Sequence, residues 1–278
     1  MTDRPDFSDT ALGKHTAAVN KYSPSLLYPI ERSRMRLDIG VEPARLPFKG
    51  CDLWTAYELT WLDQSGKPDL AIAHVRVPCH SQYVFESKSF KLYLGSFTQT
   101  RFKDKLDVTR TLESDLSVTT GADVMVTLQS VSQVAQLSVG NFTGFCLDHL
   151  KPTEINYQPS TALLEVDERG QVASETVYSN LLRTLCPVTT QPDFASIQIS
   201  YSGKAIKHES LLAYLISFRE YEGFHEHCVE RIFTDLQARC APAELSVYAR
   251  YTRRGGIDIN PYRSTTRTDP DPVRLARQ

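Results

Sequence analysis

The first strong pattern of apolar and polar positions is DLWTAYELTW, Asp52 to Trp61, which alternates and is rich in aromatic residues, so it predicts a strand. The turn residues DQSGKPD follow, and then LAIAHVRV predicts a second strand, making a hairpin. SFKLYLGSF opens a helical stretch that VTRTLESDL ends, and DVMVTLQSV and FTGFCL read as further strands. In FASIQISY, Ala195, Ile197, Ile199 and Tyr201 share one face, as a half-buried strand requires. In HEHCVERIFTDLQARC, Val229, Ile232, Phe233 and Leu236 form one helical stripe. Upstream of Leu46-Pro47-Phe48 the chain is polar and weakly periodic, which reads as an irregular lead-in.

The two halves follow one plan. Tyr93, Phe97, Phe102 and Asp115 recur as Tyr214, Phe218, Phe224 and Asp235, and Pro68-Asp69 recurs as Pro192-Asp193. An offset held near 120 residues implies an internal duplication. The expected architecture is α+β with two homologous units, 1–150 and 151–278. Counting back seven residues from Asp69 and from Asp193 aligns Leu62 with Cys186, so only the second unit carries a thiol there.

Composition narrows the class. Thirty-one basic residues face thirty-three acidic ones, which argues against a general nucleic-acid binder. The polar start and the lack of an 18-residue apolar run predict a cytoplasmic protein without a membrane span. Six cysteines without CxxC spacing are expected as reduced thiols, each either core filler or nucleophile. No GxGxxG or GxxxxGK[ST] motif is present, so a dinucleotide would have to be held by other means.

Four segments carry candidate chemistry. In Cys186-Pro187-Val188-Thr189-Thr190-Gln191-Pro192-Asp193, a thiol precedes a loop and a carboxylate follows at the mouth of a strand, where it can manage the protons of an attack. The bland alternative is a core cysteine and a turn cap. His225 and Glu226 open a helix, where histidine suits acid–base work and a carboxylate can accept two hydrogen bonds from a guanine-like edge; a solvated helix start is the alternative. Zinc held by His225, His227, Cys228 and Cys186 is disfavoured, because positions 225, 227 and 228 do not share a helical face. Phe85-Glu86-Ser87-Lys88 reads by composition as a charged strand-to-helix junction. Arg253-Arg254-Gly255-Gly256 suits a phosphate or an ordinary turn.

Together, FESKSFKLYLGSF, CPVTTQPDFASIQISY, FHEHCVERI and YTRRGGIDINP resemble, in this order, the NADPH-dependent 7-cyano-7-deazaguanine reductases of queuosine biosynthesis, in their long, duplicated form. The resemblance spans about Pro47 to Arg263 and implies two tandem tunnelling-fold halves, each an antiparallel sheet with helices on one face. It implies that Cys186 adds to the nitrile carbon, that Asp193 donates the proton, and that His225 and Glu226 bind the deazaguanine. Phe85, Glu86 and Ser87 would complete substrate binding, and Ser87, Lys88, Arg254 and Gly255 would contact NADPH. It further implies a homodimer acting on a small molecule, with no metal, no nucleic acid bound directly and no membrane. His225 is also a candidate to activate the thiol. Two other readings compete: a metal-dependent purine hydrolase, and a non-catalytic deazapurine-binding protein that leaves NADPH untouched.

Overall fold

The computed structural model describes residues 19–134, 139–168 and 172–278. In chain order its elements are β1 (Pro29–Glu31), α1 (Arg32–Leu37), β2 (Lys49–Leu62), β3 (Pro68–Pro78), β4 (Tyr83–Phe85), α2 (Ser87–Gly95), α3 (Lys105–Thr120), β5 (Met125–Gln129), α4 (Val131–Val134) and β6 (Phe145–Cys146). The remainder are β7 (Val172–Leu185), β8 (Pro192–Lys204), α5 (His208–Ser217), α6 (His225–Cys240), β9 (Glu244–Tyr251) and β10 (Ile257–Ser264). The fold is α+β.

One eight-stranded sheet, in the order β5-β3-β2-β10-β9-β8-β7-β6, runs through the molecule, and β1 pairs with β4 in a small second sheet. The large sheet is antiparallel except at its edge, where β6 lies parallel to β7. The sheet does not break between the regions of the two sequence units. β10 pairs with β2 over eight residues, from Ile257 opposite Ala56 to Ser264 opposite Lys49.

Alternation along the strands sorts their side chains to two faces. Ala195, Ile197, Ile199 and Tyr201 are all buried, in a core shared with Leu211, Leu215, Val229, Ile232, Phe233 and Leu236 of α5 and α6. A second core joins Trp54, Ala56, Leu59 and Trp61 of β2 to Phe90 and Tyr93 of α2 and Val108, Leu112 and Leu116 of α3. On the opposite face, Tyr248 and Tyr262 pack with Phe142 and Leu275.

The matched positions carry matched contacts. Tyr93 donates to Asp115 at 2.6 Å, and Tyr214 donates to Asp235 at 2.7 Å. Each hairpin has a register shift at the same place, between Ala56 and Leu59 in one and between Ser179 and Leu182 in the other.

Three expectations change. The helical stretch from Ser89 to Leu116 is two helices: α2 ends at Gly95, and α3 begins anew behind Asp104, whose carboxylate accepts from Asp107 N. FTGFCL contributes only the two residues of β6, at the far edge of the sheet. The lead-in, whose first 18 residues lie outside the described residues, is not irregular beyond them. It forms β1 and α1 and buries Ile30, Arg32, Met35 and Arg36.

The two buried arginines belong to an ion network. Arg32 Nη2 lies 2.5 Å from Asp52, and Arg263 Nη1 lies 2.8 Å from the same carboxylate. Arg263 Nη2 and Arg36 Nη2 reach Glu230 at 2.8 and 2.7 Å. Burial alone would raise the Glu230 carboxyl, but Arg263 and Arg36 hold it down to about 2. We expect Glu230→Gln, which leaves the buried Arg36 without a carboxylate partner and Arg263 with Asp52 alone, to lose about 3–5 kcal/mol of stability in urea unfolding.

Candidate active site

The second sheet, the β7–β8 turn and the start of α6 enclose one cleft. Its lining includes Phe85, Glu86 and Ser87 on one side and Cys186, Asp193, His225, Glu226 and Arg254 on the other, with Ile30, Trp54, Val84, Phe224 and Ile259 supplying apolar surface. Eight of the expected site residues therefore meet although they are spread across 170 positions of sequence. Lys88 and Gly255 stand just outside the lining, next in sequence to Ser87 and Arg254.

Cys186 follows directly on β7 and is 3% exposed. Its N–H donates to Gln191 O, and its carbonyl accepts from Thr190 N, both at 2.9 Å. These bonds close the loop before Asp193 enters β8. The alignment of Leu62 with Cys186 is corrected here. Leu62 pairs with Pro68, whereas Leu185 pairs with Pro192, so Leu185 is the counterpart of Leu62. The second loop has one residue more, and the count of seven ran across that insertion. Cys186 stands where the first hairpin has Asp63.

Asp193 is buried and held from two sides, with His225 Nε2 at 3.3 Å from Oδ2 and Arg254 Nε at 3.0 Å from Oδ1. The His225 ring lies flat on Tyr251, with centroids 3.7 Å apart and planes 2° from parallel. Tyr251 ends β9, and its carbonyl accepts from the side chain of the buried Gln278 at 3.1 Å. Sequence reasoning passed over Tyr251, and the aromatic before Arg253-Arg254 was its only local signal.

Glu226 is buried beside His225. Burial and the neighbouring Asp52 raise its carboxyl, while Arg32 and His225 oppose that rise. Glu86 is the N-cap of α2, its two oxygens accepting from Lys88 N at 2.6 Å and Ser89 N at 2.8 Å. Its carboxylate therefore braces the helix while its side chain lines the cleft. A glutamate cap is unusual beside Ser, Thr, Asp or Asn, so a reading by residue preference saw only a charged junction.

At the rim, Arg254 and Ile257 exchange backbone hydrogen bonds at 2.9 and 3.1 Å around Gly255 and Gly256. Both glycines have positive φ, 59° and 77°, which is the type I′ hairpin geometry that glycine enters freely. Lys91 Nζ donates to Gly255 O at 2.6 Å, and the Arg253 guanidinium lies over the Tyr57 ring.

The histidines of α6 diverge. His225 turns to Asp193, whereas His227 meets the Tyr221 hydroxyl at 2.7 Å. Among the described residues, no three His, Cys, Asp or Glu side chains converge as metal ligands would. No helix among them is long and apolar enough to cross a membrane.

A buried thiol, a carboxylate clamped by His225 and Arg254, and a buried histidine–glutamate pair thus line one cleft. Residues 18–128 match the family described as nitrile reductase, 7-cyano-7-deazaguanine-reductase N-term, and residues 192–270 match the QueF-like protein family. The NADPH-dependent 7-cyano-7-deazaguanine reductase of Verminephrobacter eiseniae is 48% identical over 274 residues, covering 96% of this chain and 97% of that one. That of Polaromonas sp. is 49% identical over 268 residues, with the same coverage. That of Saccharophagus degradans is 48% identical over 271 residues, covering 98% of this chain and all of the relative. The chain belongs to the NADPH-dependent 7-cyano-7-deazaguanine reductase family.

Burial pushes the His227 imidazole down to about 4. The unfolded chain then binds a proton near pH 6.5 that the folded chain refuses. His227 accordingly contributes stability above pH 6.5, and that stability is lost as pH falls toward 4. We expect this component, on the order of 3 kcal/mol, to vanish from the difference between wild-type and His227→Gln denaturation curves measured across that window.

Proposed function

We propose that the chain is an NADPH-dependent oxidoreductase reducing the nitrile of 7-cyano-7-deazaguanine to the primary amine, in the cytoplasm and as a step of queuosine biosynthesis. The convergence of Cys186, Asp193, His225 and Glu226 with Phe85, Glu86 and Ser87 on one cleft carries this reading. Tandem tunnelling-fold halves, 1–150 and 151–278, are its structural counterpart, supported by the recurring Tyr–Asp bonds and hairpin shifts. A homodimer would cover the sheet face that carries no helices.

A nitrile accepts hydride poorly, and a thiol adduct makes its carbon imine-like. Cys186 Sγ would bond to the nitrile carbon while one carbon–nitrogen π bond breaks. The thiol proton would pass to Asp193 and on to the nitrile nitrogen, leaving a neutral thioimidate. His225 and Arg254, each against one Asp193 oxygen, suit a carboxylate that must accept and return a proton without drifting. Glu226 would accept two N–H bonds from the guanine-like edge, and Phe85 and Glu86 would bound the ring from the other side.

The cationic rim fits a dinucleotide bearing phosphates. Arg254 is 41% exposed there, beside the Gly255-Gly256 turn, and Ser87 and Lys88 open α2. These residues would hold NADPH, which supplies hydride, two equivalents per amine. Between the two deliveries the chain must retain the half-reduced substrate, a task for Glu226 and the apolar walls.

Purified protein mixed with NADPH and the nitrile should consume two NADPH per amine formed, and Cys186→Ala should consume none. Binding of the nitrile with NADPH untouched would overturn the proposal in favour of a binding protein. Glu226→Gln should bind the nitrile about 10- to 100-fold more weakly in calorimetry, the loss of one charge-assisted hydrogen bond. Unchanged affinity would remove Glu226 from recognition.

A further inference from the structure

Two hairpin loops of the large sheet close by the same pair of backbone bonds, and their differences single out Thr190. Between β2 and β3, Asp63 N donates to Lys67 O at 2.9 Å and Gly66 N donates to Asp63 O at 3.0 Å. Between β7 and β8, Cys186 N donates to Gln191 O and Thr190 N donates to Cys186 O, both at 2.9 Å. The second donor has left-handed backbone in both loops, with φ of 91° at Gly66 and 54° at Thr190. Glycine occupies that region at no steric cost, whereas a β-branched residue there is a real outlier.

The loop with the outlier is the one with the thiol. In the first loop the Asp63 side chain adds a brace of its own, accepting from Ser65 N at 2.9 Å, Ser65 Oγ at 2.6 Å and Lys67 N at 3.0 Å. Cys186 takes Asp63's place in the second loop, and its side chain lines the cleft. A thiol is a weak acceptor and a poor substitute for that brace. The second loop is also one residue longer, which adds freedom. Strained backbone persists where a site needs one conformation over-determined.

We propose that Thr190 is a positioning residue for the nucleophile. Its restricted left-handed backbone fixes the 186–191 loop and, through its bond to the Cys186 carbonyl, aims the thiol into the cleft. This rests on the reading of Cys186 as nucleophile. The Thr190 side chain is exposed and, among the described residues, bonds only the neighbouring Thr189 carbonyl at 2.7 Å, so its removal leaves the core undisturbed. Glycine would accept the same φ along with many others, so Thr190→Gly removes the restriction and keeps the bond. Asparagine tolerates left-handed backbone while still carrying a Cβ, so Thr190→Asn restores most of the restriction.

Steady-state kinetics and intact-mass detection of the Cys186–nitrile adduct test this on the full-length enzyme. In Thr190→Gly we expect kcat to fall at least about tenfold and adduct formation to slow in step. KM for nitrile and for NADPH should stay within about twofold, with the thermal midpoint unchanged. Thr190→Asn should recover most of the rate. Wild-type turnover by Thr190→Gly, or Thr190→Asn no faster than Thr190→Gly, overturns the proposal. Equal adduct rates in wild type and Thr190→Gly sink the proposal alone. No adduct in the wild type sinks the nucleophile reading, and this proposal with it.

Discussion

Three guanidinium groups face two carboxylates in the interior of this protein, and the placement of the site depends on that arrangement. Arg32 and Arg36 come from α1, Asp52 from β2, Glu230 from α6 and Arg263 from β10. Desolvating five charges is costly, and such a network is weak evidence for net stability. What it imposes is uniqueness, because each partner satisfies at least one other and none can be displaced alone. Glu230 lies one helical turn beyond Glu226, so the lock on Glu230 also sets where α6 begins. The network holds one positive charge in excess, and Arg32 is among the groups opposing the rise of the Glu226 carboxyl. The N-terminal helix thus acts on the Glu226 side of the cleft without lining it.

Around Cys186, Asp193 and His225, position comes from backbone closure and stacking. The thiol sits on a loop tied by two backbone bonds, and Asp193 is the first buried residue after it. His225 is fixed by contacts to a ring face and to a carboxylate, which restrain different degrees of freedom. Stacking sets the plane of the imidazole, and the Asp193 contact sets its rotation within that plane. The cleft is consequently preorganised from elements that are distant in sequence, with the first half contributing through β4 and the cap of α2.

Much of this was legible in the sequence wherever the pattern is local. Alternation in FASIQISY and the stripe in α6 predicted buried faces residue by residue, and the spacing of tyrosine and aspartate matched positions that make the same bond. What escaped was non-local or exceptional. Arg36 is buried because Glu230, 194 residues away, receives it, and no window of sequence contains that partner. Polar residues near the start therefore read as an irregular lead-in. The burial of Leu275 escaped in the same way, since it packs with Phe142, far upstream, and with Tyr248 and Tyr262 of β9 and β10. The Leu62–Cys186 alignment failed for a different reason: one inserted loop residue is invisible to counting and obvious in strand register.

Gln278 gives the tail a further significance. Its side chain holds the carbonyl of Tyr251, Arg277 reaches Ser196 Oγ at 2.8 Å, and Gln278 itself is buried. Anything fused directly to Gln278 must leave from an enclosed position two contacts away from the His225 imidazole. For those who make and purify this protein, an affinity handle at residue 278 would disturb the bond that holds the Tyr251 carbonyl, and with it the ring on which His225 stacks.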